Sequence, residues 1–271
     1  MIKFSNPHTH TIYCDGRNTP EEMLQRAQEL GFASLGFSSH ASQTANNFFG
    51  LRDEQAYIAA IRELAKTSGI RVHLGVELDI VAHCDRPEYD YILGGVHYLL
   101  KDGFVYPVDG KREHIQAGID HLFGGDAAAA ARNYFDSVIA LCEQEKPDII
   151  AHFDVFAKNN EDGTLVDIEN KRYQQAAFDA LEAMKACGAL LEVNTGAMAR
   201  GYRTTPYPYS FVMKRWKEMG GGVILGSDCH NAALLNYAFD DAVEFIRENG
   251  FKTIFRLGSF GDGLFVEEAI D

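Results

Sequence analysis

The chain has 271 residues and a formal net charge of −14; a surface of that sign repels phosphate backbones and argues against a nucleic-acid partner, though not against a small phosphorylated one. Hydrophobic residues make up 46% and charged residues 24%, the balance of a globular chain that buries a substantial core, and no apolar run of about 18 residues is present to span a membrane. Cys14, Cys84, Cys142, Cys187 and Cys229 form no CxxC pair, and "MIKFSNPHTH" has no apolar leader core, so free thiols in a cytoplasmic protein are expected.

No low-complexity linker divides the chain, so residues 1–271 read as a single domain. The apolar start "MIKF" leads to "TPEEMLQRAQELGF", a helix with Thr19 as cap, Pro20 in the first turn, acids at the positive end and Gly31 after its end. A strand over 34–39 follows, then a helix over 52–69 and a strand over 71–79. "YDYILGGVHYL" (89–99) reads as one strand with a Gly-Gly pair in its middle, and 108–125 as a loop. Further on come a long Ala-rich helix over 126–146, a strand over 147–154, a helix over 168–188 and a strand over 189–195. The chain closes with a helix over 209–221, a strand over 222–230, a helix over 236–251 and a short strand over 252–258. Repeated strand–helix alternation predicts an α/β fold with a parallel sheet buried on both faces, as a closed or distorted TIM-like barrel or an open doubly wound sheet.

Polar residues collect at the ends of these strands. His8 and His10 follow "MIKF", and His40 follows "SLGFSS". Glu77 closes its strand, as do His97 and His152. Asp228 and His230 close "VILGSDCH". The C-terminal strand ends of an α/β barrel are where the loops converge into a site. A lone histidine at such a place is usually a hydrogen-bonded structural residue. His73, inside its strand, and His83, His114 and His121, in loops or helices, are read as structural or surface residues, whereas the ordered series is not. Imidazole and carboxylate together suit zinc, manganese or iron, and the donors are too many for one tetrahedral ion. Two or three divalent ions are expected, with Glu77 as a bridge.

Taken in order, "HTHTIYCDGRNTPEEML", "GVELD", "GGVHYL", "AHFDVFAK", "LEVNTGA" and "GSDCHN" resemble the successive motifs of the PHP (polymerase and histidinol phosphatase) superfamily, most closely its histidinol-phosphate phosphatase branch. The resemblance runs from His8 to about Gly250. It implies a distorted (β/α)7 barrel with a trinuclear metal centre. On this sequence His8, His10, Glu77 and Asp228 would hold the first ion. Glu77, His97 and His152 would hold the second, and Asp15, His40 and His230 the third. For substrate binding the resemblance points to Lys158 and Arg200, with Arg203 close by and Asn194 orienting the site or a water. Glu192 would orient a ligand histidine.

The implied reaction is hydrolysis of L-histidinol phosphate to L-histidinol and phosphate, a step of histidine biosynthesis, by in-line attack of a hydroxide held by the metals. Asp228 or His230 would supply the leaving-group proton. A PHP-type nuclease or nucleotide phosphatase keeps the metals and changes the substrate, but needs a basic groove. The densest basic spot, "VMKRWKEM" (212–219), reads as one helix face. A non-catalytic metal-binding domain is a further alternative, as is an amidohydrolase, which would need a ligand lysine.

Overall fold

In the computed structural model, which describes residues 2–42 and 49–270, short buried strands alternate with amphipathic helices. The order begins β1 (Ser5–Asn6), α1 (Pro20–Glu29), β2 (Ser34–Phe37), α2 (Glu54–Thr67), β3 (Arg71–Leu78) and β4 (Tyr91–Gly94). It continues β5 (Tyr98–Lys101), β6 (Phe104–Pro107), α3 (Arg112–Phe123), α4 (Ala127–Glu145), β7 (Ile149–Ile150), α5 (Lys171–Cys187) and β8 (Leu190–Asn194). It ends α6 (Gly196–Ala199), α7 (Ser210–Glu218), β9 (Val223–Gly226), α8 (Phe239–Glu248), β10 (Thr253–Leu257) and β11 (Phe265–Ala269).

Local chemistry sets many of the boundaries. Thr19 Oγ1 accepts from Glu22 N while the Glu22 carboxylate accepts from Thr19 N at 3.0 Å, a reciprocal cap that starts α1. Asp53 and Asp126 cap α2 and α4 in the simpler way, each accepting a main-chain N–H three residues on. Gly188, in the left-handed region, ends α5.

Strands β1, β2, β3, β4, β7, β8 and β9 pair in parallel in that order. A bridge between Thr9 and Cys229 joins the continuations of β1 and β9 and closes the ring at its C-terminal rim. At the other end the ring is split. There β10 pairs with β9 through Phe255 and Ile224, and β11 runs antiparallel along β10. The result is the distorted seven-stranded barrel expected. Its interior holds a small apolar cluster that includes Tyr91, Leu93, Ile149, Ile224 and Leu257. Tyr91 fits because Gly75 has no Cβ; one there would stand 2.4 Å from the ring. The larger core lies between barrel and helices.

The structure differs from the sequence reading between 95 and 125. The expected single strand over 89–99 stops at Gly94, and Tyr98–Lys101 pairs instead with Phe104–Pro107 in a separate hairpin. The segment read as a loop contains α3, whose buried Ile115, Gly118, Ile119 and Leu122 mark one helix face. Of the loop "QTANNFFGL" (43–51), which the sequence suggests as a cover for the site, residues 43–48 lie outside the described residues. No described helix is long and apolar enough to cross a membrane.

Candidate metal centre

The Thr9–Cys229 bridge assembles half of the site. Alternate residues of extended chain face the same side. Thr9 turns away and donates its hydroxyl to Gly36 O at 2.7 Å. His8 and His10 therefore face inward together, with Asp228 and His230 beside them across the bridge. His10 Nε2 and His8 Nε2 lie 3.2 and 3.4 Å from Asp228 Oδ1. Both His152 and Asp228 have positive φ, an uncommon conformation for residues with side chains that recurs at functional sites.

Glu77 is the hub. Its Oε2 faces His40 Nδ1 at 2.9 Å, His8 Nε2 at 3.3 Å and His10 Nε2 at 3.4 Å. Its Oε1 faces His152 Nε2 at 3.0 Å and His97 Nε2 at 3.3 Å. Asp15 Oδ1 lies 3.2 Å from His230 Nε2, 3.7 Å from His10 Nδ1 and 3.8 Å from His40 Nε2. Donor atoms gather in three overlapping sets, each within 4.8 Å: His10, Asp15, His40 and His230; His8, Glu77 and His152; His8, His10 and Asp228. The structure thus brings together every residue proposed as a ligand. Gly95 makes this possible, since a Cβ there would stand 2.6 Å from Glu77 Oε1 and 3.1 Å from the His97 and His152 rings.

A second set of acceptors fixes the imidazoles. Glu192 Oε1 accepts from His8 Nδ1 at 2.8 Å, Asp79 Oδ2 from His97 Nδ1 at 2.8 Å, and Asp228 O from His230 Nδ1 at 2.9 Å. A proton held on Nδ1 leaves the Nε2 lone pair directed into the cluster. His8 Nε2, His10 Nε2, Asp15 Oδ1 and Glu77 Oε2 are buried without a hydrogen-bond partner. Buried polar atoms are rarely left so, and hard or borderline cations between these donors would satisfy them. The donor set fits a multinuclear divalent centre.

Without cations, the cluster balances charge with protons. Burial lowers the His8 pKa, but Glu192, Glu77 and Asp228 outweigh it and hold it well above the ordinary value. Against the same burial, Asp79 and Glu77 raise His97, and Asp228 and Asp15 lift His230 to about 9. At His10 burial and the adjacent His230 prevail, and its pKa falls. Glu77 and Asp228 would be raised by burial; His40 and His8 hold the first well below the carboxylate range, and Arg200 and His8 the second.

The cluster forms the floor of a cavity of about 690 Å³. Arg200 lines it, with Nη2 donating to Asp228 Oδ2 at 2.6 Å. Lys158 also lines it, donating to the main-chain oxygen of Asp109 and lying 4.2 Å from the Tyr202 ring centroid. The hairpin residues Tyr98, Val105 and Pro107 and the exposed Phe49 make another wall.

Two expected substrate contacts are corrected. Arg203 does not line the cavity; its side chain is fully buried, 3.5 Å from Asp154 Oδ1 and packed on the rings of Tyr207 and Tyr209. Asn194 is likewise buried away from the cavity, its amide donating to Glu192 Oε2 at 2.8 Å and its oxygen accepting from Gly196 N. It orients Glu192, not a substrate. Asp228, proposed as a proton source, is held ionised beside Arg200 and is a poor acid in this arrangement.

The sequence model of the PHP domain matches residues 6–196. The chain belongs to the PHP domain family. A Deinococcus radiodurans protein named "Probable histidinol-phosphatase" is 26% identical over 94% of this chain and 96% of its own length. The histidinol-phosphatase of Bacillus subtilis is 22% identical over 88% of this chain and 97% of its own length. Among solved structures, histidinol phosphate phosphatase from Lactococcus lactis, complexed with zinc, L-histidinol and phosphate, has a TM-score of 0.72 at 19% identity, covering 94% of this chain and 96% of that one. At that identity the likeness concerns the fold.

One member of this PHP site escaped the sequence reading. Asp79 fixes His97 through both main-chain N–H and ring. Its signal was present: it stands two residues beyond Glu77 in "GVELD", on the same side of an extended chain.

Proposed function

We propose that this PHP domain is a metal-dependent phosphomonoester hydrolase that converts L-histidinol phosphate and water to L-histidinol and phosphate in histidine biosynthesis. One observation carries the reading: imidazole and carboxylate donors from six strand ends gather around Glu77 at the floor of a cavity that also presents Arg200 and Lys158. Named relatives covering nearly the whole chain support the substrate.

His8, His10, Glu77 and Asp228 would hold one ion, Glu77, His97 and His152 a second, and Asp15, His40 and His230 a third, as zinc, manganese or iron. When bound, such ions supply Lewis-acid charge and lower the pKa of water in the site. The residues do the rest. Glu77, with histidines on each oxygen, would tie neighbouring ions together. Glu192 and Asp79 keep His8 and His97 in the ligand tautomer. Arg200 and Lys158 would donate to phosphate oxygens and stabilise the charge that builds there. Holding the third ion through Nε2, with its Nδ1 proton on Asp228 O, His230 would have no proton to give the leaving group. The rim it occupies with Asp15 is more open than the floor, at 26% and 25% side-chain exposure.

We further propose that the described chain works as one unit, since β10 and β11 complete the sheet that β1 begins. A cytoplasmic location is supported by five free cysteines. Zinc- or manganese-loaded protein is expected to release phosphate from L-histidinol phosphate with kcat/KM of about 10⁴ M⁻¹s⁻¹ or more. Rates no higher than on glucose 6-phosphate would discard the substrate. Absence of phosphate release from any ester, with metal bound, would discard the enzyme.

A further inference from the structure

The cavity lining joins the metal-site donors, Arg200 and Lys158 to the residues that leave the hairpin, Pro107 and Asp109, with Asp109 beside Lys158. Asp15 and Asp228 also line the cavity, but both are engaged with the site's histidines. Among the described residues, Asp109 is therefore the one lining carboxylate outside the ligand cluster. Its segment is pinned on both sides. Val108 N donates to His97 O at 2.8 Å, and Asn159 Nδ2 to Gly110 O at 3.0 Å. Lys158 grips Asp109 through the main-chain oxygen, so the half-buried carboxylate is a separate feature of the wall. Its charge acts on Lys158, Arg200 and Tyr98, which puts it within electrostatic reach of the phosphate end of the cavity.

We propose that Asp109 is a specificity-determining residue that accepts the ammonium group of the substrate, selecting phosphomonoesters of amino alcohols. The inference rests on the phosphatase reading above and identifies which further part of the substrate is held. A metal centre with Arg200 and Lys158 binds any phosphomonoester dianion alike and cannot discriminate among alcohols. An ammonium drawn into the cavity loses water, and an ionised acceptor on the wall replaces that water with a charge-assisted bond. An ester lacking the amine would leave the Asp109 carboxylate desolvated and unpaired, which is how a polar site rejects an analogue.

The test compares L-histidinol phosphate with its analogue bearing hydrogen in place of the amine, on zinc-loaded wild type and Asp109→Asn. Wild type is expected to favour the amine-bearing ester by about 10- to 100-fold in kcat/KM. In the variant that preference should fall to near unity, with turnover of the deaminated ester retained. Retained turnover also shows that the variant is folded. If Asp109→Asn does not fold, Asp109→Ser takes its place in the same comparison. Equal losses on both esters would overturn the proposal, because the Asp109 charge would then act only through its effect on Lys158 and Arg200. So would a wild type that ignores the amine while still preferring L-histidinol phosphate to glucose 6-phosphate, a result that leaves the phosphatase reading intact. A wild type with no preference among the three overturns that reading and the amine site together.

Discussion

Glu192 never reaches the cavity, yet it joins three parts of the site. One oxygen accepts from His8 Nδ1 at 2.8 Å; the other accepts from His152 N at 2.9 Å and Asn194 Nδ2 at 2.8 Å. Its work is to keep a ring in one tautomer and one orientation, which an amide does poorly. Glu192→Gln and Asp79→Asn are each expected to weaken metal binding about 10- to 100-fold, measured by competition with a chromophoric chelator, while the folded far-ultraviolet spectrum persists. Unchanged affinity in both would mean that the rings are held by packing alone. Residue identity and strand parity made the ligands legible, and Glu192 with them. They could not separate Arg200 from Arg203. The two arginines are three positions apart just past the end of a short helix, and what directs Arg203 inward is Asp154, far away in the chain.

Gly94 and Gly95 mark where β4 ends and where the sequence reading ran one strand too far. The run "YDYILGGVHYL" has strand-forming residues on both sides of the pair, so local preference alone continues it. The reason for the break is tertiary: Gly95 sits where Glu77, His97 and His152 meet and no Cβ fits. The chain then leaves the barrel, and its next extended segment finds a hairpin partner in Phe104–Pro107. Gly95→Ala is therefore expected to displace the Glu77 carboxylate. It should lower stability by about 1–3 kcal/mol and reduce bound metal per chain, read by denaturant melts and elemental analysis. Full metal content in this variant would show that the pocket can relax around a methyl group. The helix α3 was missed for the opposite reason. Its glycines Gly118, Gly124 and Gly125 interrupt the local helical pattern, whereas Ile115, Ile119 and Leu122 stand on one face.

Across the molecule, the barrel concentrates its buried polar groups at one rim. Gathering so many imidazoles and carboxylates away from water is unfavourable unless cations or protons balance them. Metal-stripped protein at pH 7.5 is accordingly expected to melt on the order of 10 °C lower than the loaded form. The gap should narrow as pH falls. His8, His97 and His230 have raised pKa values in the metal-free state; stability from their protonation is fully present below the unfolded imidazole value near 6.5 and is lost as pH rises through the folded values, about 9 for His230. Bound metal must displace those protons, so acid weakens the loaded form while it favours the stripped one. A gap that does not change with pH would remove this account. Sequence by itself determined most of the alternation of strand and helix and the donors at six strand ends, because hydrophobic period and residue chemistry are local properties. Which arginine enters the cavity, where β4 stops and how Asp109 comes to face the metal rim were decided by tertiary structure, because each depends on side chains distant in sequence competing for the same space and the same partners.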